Sequence, residues 1–281
     1  MLYYGILLLI LASLSWSLLD ILRKKLVQNM EPLALTTALC IGQACLFSLV
    51  ALFANPGFPE PAYWLWGVIG ATLALFAALG LNLSLHVSPL SQSIPMLSLT
   101  PAFAVLNGFL LLDEKITVLQ GIGLVASTIG AAGFGLDKGW TKAKGAYMMV
   151  GVAFLLAMTM AVDKRAVQHA EVVVHACFQA CFISICLVLY VALRGRIKTL
   201  QPVLVHNKKY FLAVLAFALA VGLQLEAVKY LHVSVLEAVK RCIGLFSSIF
   251  AGYLIFSEAI TAKKIYSAFL LAIGVLFLLF L

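Results

Sequence analysis

Charge is what this sequence has least of. Lysine, arginine, aspartate and glutamate together make up 11% of its 281 residues, and the acids number only 11. A soluble globular domain carries about a quarter charged residues. That class is excluded, and a hydrophobic share of 64% points to lipid instead. Long polar connections are missing too, so no soluble domain fits between the apolar runs. Metal-ligating clusters are lacking. The six cysteines (Cys40, Cys45, Cys177, Cys181, Cys186 and Cys242) all fall inside apolar runs, where a thiol acts as a small hydrophobe. The five histidines (His86, His169, His175, His206 and His232) form no nucleophile or metal arrangement. Neither catalysis nor a cofactor is expected. The net charge of +8 sits mostly in short loops, a pattern of membrane topology and not of nucleic-acid contact. Residues 1–19 lack the positive leading segment and cleavage site of a signal peptide, so they are expected to stay as a span.

What is present is a series of apolar runs, each about 20 residues long. They read as spans over 3–22, 33–54, 63–84, 90–112, 116–136, 145–163, 172–193, 210–230, 234–256 and 263–281. Runs of this length in lipid must be helices, because the backbone has to satisfy its own hydrogen bonds. Pro32, Pro56, Pro59, Pro61 and Pro202 fall in connections, whereas Pro95 and Pro101 lie inside the fourth span and should bend it. Tyr3, Tyr4, Tyr63, Trp64, Trp66, Trp140, Tyr147, Tyr210 and Tyr266 lie at span ends and read as an interfacial belt.

The chain also repeats itself. KKLVQNMEP at Lys24–Pro32 matches KRAVQHAEV at Lys164–Val172. Gln43-Ala44-Cys45 matches Gln179-Ala180-Cys181, and His86-Val87-Ser88 matches His232-Val233-Ser234. Glu114-Lys115-Ile116-Thr117 matches Glu258-Ala259-Ile260-Thr261, and Ile129-Gly130 matches Ile273-Gly274. Each half holds five spans, an odd number, so the second half enters the membrane from the opposite side. The fold expected is an all-α polytopic membrane protein of ten transmembrane helices in two inverted five-helix repeats, residues 1–137 and 138–281. Such repeats serve alternating access around a site near the midplane. Thirteen Lys and Arg fall on one side, Arg23 and Lys24 among them, against four on the other. By the positive-inside rule the richer side is cytoplasmic and both termini lie outside.

The stretch VSVLEAVKRCIGLFSSIFAGYLIFSE, from Val233 to Glu258, is apolar enough to span and yet carries Glu237, Lys240 and Arg241. A cation in hydrocarbon costs about 2.5–3.5 kcal/mol on insertion scales. Two readings stand. Glu237 is spaced to pair with both cations within the helix, and lysine can snorkel to the headgroups. Alternatively, at least one cation faces a substrate. Gln224 and Glu226 of the eighth span reach the same level, and Glu226 is expected to pair with one of the two cations. With Lys229 included, that cluster keeps one positive charge in excess, which suits an anionic group; it also reads as a self-neutralised network that holds the two helices together.

The LLLDEKIT and LIFSEAIT endings of spans four and nine, with Glu114 and Glu258, resemble the drug/metabolite transporter superfamily in its ten-span EamA-like branch. SPLSQSIPMLSLTPAFAVL is similar to that family's fourth span. Lys240-Arg241 followed by Ser247-Ser248 also resembles the organic-phosphate translocators, in which such a pair binds phosphate; that branch's lysine in span four is replaced here by Ser91-Gln92-Ser93. The resemblance implies a central cavity between the halves. Trp16 and Asp20 share a stripe of span one with Ser13 and Ser17. Asp20 is a candidate for a coupling proton, for pairing with a cation, or for an interfacial place near Arg23 and Lys24. Asn82, Ser91, Gln92 and Asn107 are further candidates for the lining. Gln43 and Gln179 read first as groups that join helices. Gly121, Gly123, Ser127, Gly130, Ser267 and Gly274 permit close packing within the chain or a homodimer face, so monomer and homodimer both stand. The function implied is secondary transport of a small polar, anionic metabolite across the cytoplasmic membrane, with proton or ion coupling open. The alternative is a translocase for a lipid-linked phosphate headgroup, which needs a gap open sideways to lipid beside Lys240 and Arg241.

Overall fold

The computed structural model describes residues 2–112, 117–135, 144–200, 208–257 and 261–278, and every regular element among them is helical. In chain order the helices are α1 (Leu2–Val27), α2 (Pro32–Ala54), α3 (Tyr63–Val87), α4 (Leu90–Met96), α5 (Thr100–Leu112) and α6 (Val118–Gly135). The second half holds α7 (Lys144–Ala166), α8 (Val172–Leu193), α9 (Lys208–Ala227), α10 (Val233–Phe256) and α11 (Ala262–Leu278). Among the described residues, seven helices are long and apolar enough to cross a membrane: α1, α2, α3, α7, α8, α9 and α10.

The fourth span is not one helix. α4 ends at Met96, a 3-10 turn covers Leu97–Leu99, and α5 begins at Thr100. Pro101 explains the break, because its ring excludes an α-helical turn around the carbonyl of Leu97 and it has no N–H to give. Thr100 N–H bonds to Leu97 O instead, in the tighter turn. The repeat-related α10 contains no proline and runs unbroken.

Contacts reveal the directions. Glu31, the N-cap of α2, bonds through Oε1 to Arg196 Nη1 just past the end of α8, at 2.7 Å. Glu171, the N-cap of α8, accepts the Gly57 N–H just past the end of α2, at 2.9 Å. These glutamates are the matching residues of the first repeated motif. They show that α2 and its repeat mate α8 run antiparallel. α3 and α7 are antiparallel as well, since Ser84 Oγ donates to Gly145 O at one end and Glu60 N donates to His169 O at the other. α1 ends beside α3, with Lys24 Nζ on Leu85 O and Ser88 O. α1 is therefore antiparallel to α7, its own repeat mate.

The packing follows the same exchange. α3 packs on α7 as α1 packs on α9; α3 touches α8 as α9 touches α2; α1 meets α10 as α7 meets α4 and α5; α2 pairs with α8, and α6 with α11. Swapping the halves returns these same pairings, which fits an inverted repeat. Gly130 sits where α6 crosses α11, and a Cβ there would come within 2.8 Å of the Leu271 backbone. This glycine serves a contact within the chain. The core lies between the halves, built from residues such as Leu19, Leu35, Leu39, Leu85 and Leu225.

Three expectations need correcting. Tyr63 is fully buried and does not belong to an interfacial belt; its hydroxyl meets His175. Arg23 and Lys24 are not loop cations, since α1 continues to Val27 and buries both. The eighth span begins and ends earlier than read, so Lys229 falls in the turn after α9.

Candidate functional site

A cavity of about 100 Å³ lies between the halves. Typical ligand pockets are about 300–1,000 Å³, so this one holds a few waters or a small polar group. Its lining has the order of the repeat. On α1 it takes Trp16, Asp20 and Arg23, and on α7 the matching Leu156, Met160 and Asp163. Both triplets follow the i, i+4, i+7 spacing of one helical face. Gln43 of α2 and its mate Gln179 of α8 also reach it, as do Gln224 of α9 and Lys240 and Arg241 of α10.

Lys240 and Arg241 are buried and tied to Glu237, which has no exposed surface. Lys240 Nζ bonds to Glu237 Oε1, and Arg241 donates through Nε and Nη2 to Glu237 Oε2 at 3.3 and 3.1 Å. Gln224 Oε1 accepts from Lys240 Nζ at 2.9 Å and from Trp16 Nε1 at 2.8 Å. Two donors converging on one oxygen fix which way the amide faces. Lys240 also lies 5.9 Å from the centre of the Trp16 ring. Lys240 and Arg241 pair with Glu237, as the first of the two readings expects, and both also line the hollow. An ammonium has three donors and a guanidinium five. Among the described contacts, Lys240 therefore keeps one N–H and Arg241 three for another acceptor.

Arg23 is a third cation on the same wall. Its guanidinium lies 4.8 Å from the centre of the Phe217 ring and 5.8 Å from that of Trp16, with Nη1 3.6 Å from Asp20 Oδ1. Arg23 Nε and Asp20 Oδ1 are buried without a hydrogen-bond partner. Unsatisfied buried groups beside a hollow mark the place where water or a ligand completes the bonding. Opposite them, Asp163 Oδ1 accepts from Gln179 Nε2 at 3.1 Å and meets His175 Nε2 at 3.1 Å.

Of the residues expected at the site, Trp16, Asp20, Gln224, Lys240 and Arg241 come together there, with Glu237 behind the cations. Glu226 does not join them. It bonds to Lys229 at 2.9 Å and accepts from Tyr230. It lines a separate hollow of about 360 Å³ between α2, α8 and α9, which touches neither Lys240 nor Arg241. The supposed excess positive charge disappears with it. Arg23, Lys240 and Arg241 are balanced by Asp20, Asp163 and Glu237. Asn82 is buried but off the cavity and donates to Thr36 at 2.7 Å, holding α3 to α2. Asn107 is buried away from the cavity as well. The side chains of Ser91 and Gln92 lie outside the described residues, as do Glu114 and Glu258. Sequence reasoning missed Arg23 and Asp163; it read Gln43 and Gln179 first as helix joiners, and Gln179 does join α8 to α7 while both also line the cavity. One signal was available: the offset of 140 that aligns Lys24 with Lys164 also sets Arg23 against Asp163, opposite charges at equivalent places.

A family model for EamA-like transporters matches residues 3–136 and again 143–280, once for each half. The chain belongs to the EamA-like transporter family. EamA-like proteins are multi-pass membrane transporters of small molecules, and the antiparallel halves described above coincide with the two EamA matches. No curated protein matches the sequence. Among 26 matching chains of solved structure, one described only as the crystal structure of a protein superposes with a TM-score of 0.66. It is 15% identical, and the alignment covers 95% of this chain and 97% of the other, a likeness of fold alone.

Proposed function

We propose that this EamA-like protein is a secondary transporter of the cytoplasmic membrane that carries a small polar metabolite bearing a carboxylate or phosphate. It crosses the bilayer ten times, with α4–α5, α6 and α11 completing the seven long spans and both termini outside. The two antiparallel halves rock around the cavity between them, which opens to one side at a time.

One observation carries this reading. Three cations from both halves, Arg23 of α1 and Lys240 and Arg241 of α10, face a single hollow that also holds unsatisfied polar atoms. A guest anion accepts the spare N–H groups of Lys240 and Arg241 while Glu237 keeps them charged and in place. Each such charge-assisted bond contributes about 1.5–3 kcal/mol. Trp16 and Phe217 supply apolar walls. The lipid-headgroup alternative draws no support from the second hollow, which does not reach the cation pair.

The test is flux in proteoliposomes against a panel of sugar phosphates, carboxylates and amino acids. For the compound that moves, Lys240→Ala and Arg241→Ala are expected to cut uptake at least tenfold, about the worth of one lost charge-assisted bond. Both variants should still elute as monodisperse protein. Normal uptake by both would remove the anion site from this account.

A further inference from the structure

The cation site makes no use of a second buried polar chain on the far wall of the cavity. Tyr63 of α3 and His175 of α8 have no exposed surface, and Asp163 of α7 is nearly buried. Tyr63 Oη stands 3.1 Å from His175 Nδ1, and His175 Nε2 stands 3.1 Å from Asp163 Oδ1. Gln179 Nε2 holds the same oxygen at 3.1 Å. A Cβ on Gly70 would lie 2.8 Å from that oxygen, so the backbone of α3 closes the carboxylate in from behind. One end of the chain of groups is therefore on the cavity wall. The other is at the first residue of α3, beside the loops that carry Glu60 and His169.

We infer that Tyr63, His175 and Asp163 form the binding site for the coupling proton, and that one proton bound there accompanies one negative group of the substrate. The geometry offers the proton two states in which both ring nitrogens of His175 stay hydrogen-bonded. In the unloaded state His175 is neutral: Nε2–H donates to Asp163 and Nδ1 accepts from the Tyr63 hydroxyl. On loading, a proton from water adds to Nδ1 and the imidazole becomes imidazolium. Nδ1–H then donates to Tyr63 Oη, whose own hydrogen turns away, and Nε2–H stays on Asp163. No heavy atom needs to move, and neither ring nitrogen loses its partner.

The coupling sign follows from the charges around the cavity. With His175 neutral, Arg23, Lys240 and Arg241 are balanced by Asp20, Asp163 and Glu237. Loading His175 leaves one positive charge in excess, and a single anionic group on the guest restores neutrality in a medium where net charge is costly. This step rests on the anion reading above. Several other groups bear on the pair. Cys177 stands two residues beyond His175 on α8. Lys164 and Arg165 follow Asp163 on α7, and the 2.7 Å His169–Glu60 pair and Glu171 occupy the adjoining loops. Asp20 and Arg23 of α1 and Lys240 and Arg241 of α10 share the cavity. Among the described residues, His175 is the only buried histidine.

The proton itself is the probe. Proteoliposomes adsorbed on a solid-supported membrane receive a jump from about pH 8 to about pH 5, the interval over which histidine changes charge, with no metabolite present. Wild-type protein should give a capacitive transient as the buried site loads. His175→Gln and Asp163→Asn should each lower it at least tenfold, while Glu60→Gln and His169→Gln, on the exposed pair, should leave it unchanged. An equal transient in His175→Gln, or a transient lost in Asp20→Asn but kept in His175→Gln, would overturn the assignment. Should the variants fail to reconstitute, histidine-selective nitrogen NMR of the wild-type protein decides. A buried imidazole that keeps one protonation state from about pH 8 to about pH 5 refutes the site. Because no metabolite is used, failure here leaves the anion site standing, and failure of the flux experiment leaves the proton site standing.

Discussion

Glu237 has two cations to hold and no exposed surface with which to share the task. Removing one partner of a buried ion pair strands the other, at a cost of about 3–5 kcal/mol. Glu237→Ala is therefore expected to lower the unfolding midpoint of detergent-solubilised protein sharply. Glu226→Ala should change it little, because Lys229 is exposed and Glu226 only half-buried, and pairs open to solvent contribute about 0–1 kcal/mol. Equal shifts for the two variants would contradict the contrast drawn here. The same two glutamates show what a sequence conveys at this scale. Glu237 was legible because the spacing from Glu237 to Lys240 and Arg241 lies within a single helix. Glu226 was not, because its partner depended on where α9 ends. That end comes at Ala227, which leaves Glu226 in the last turn beside Lys229 and directs it away from the cations. Arg23 escaped notice for the same reason in reverse. The first span continues past residue 22 to Val27, and what read as a loop cation is folded under Trp16 and Phe217.

Among the helices, α6 and α11 depend on a glycine. A side chain at Gly130 meets the backbone of Leu271, which cannot turn aside as a side chain can. Overpacking of this kind costs about 1–3 kcal/mol. Gly130→Leu should lower the thermal midpoint by several degrees, while Gly121→Leu, where the added Cβ meets nothing within 4 Å, should not. Comparable losses for the two would mean that α6 and α11 do not pack as described. Proline positions gave the interrupted fourth span in outline, because the loss of an N–H is a local matter. The details of the turn at Leu97–Leu99 came only with the fold. Among the described residues helix identity was legible, since runs of apolar residues in lipid leave the backbone no alternative. Tyr63 was misjudged because its place at a span end fits the headgroup belt equally well. Only packing against His175 of α8 distinguishes the two settings.

At the scale of the whole molecule, the repeat was the most informative signal, because matched motifs report architecture without any contact being known. The proposed orientation can be checked directly. In a cysteine-free background, Phe58→Cys, in the exposed loop between α2 and α3, should react with an impermeant maleimide added outside intact cells. Asn29→Cys, between α1 and α2, should react only after permeabilisation, and the opposite result would invert the molecule in the membrane. The repeat also shows why the cavity was half legible: it is built from equivalent positions whose chemistry has diverged, such as Arg23 and Asp163. The helices α2 and α8 lie side by side and are hooked at each rim, Glu31 to Arg196 at one face and Glu171 to the Gly57 amide at the other. A clasp and its twin stand on opposite shores, one an ion pair and the other a carboxylate on a backbone amide. In the proposed rocking of the halves, whichever mouth parts would release one hook and keep the other fastened.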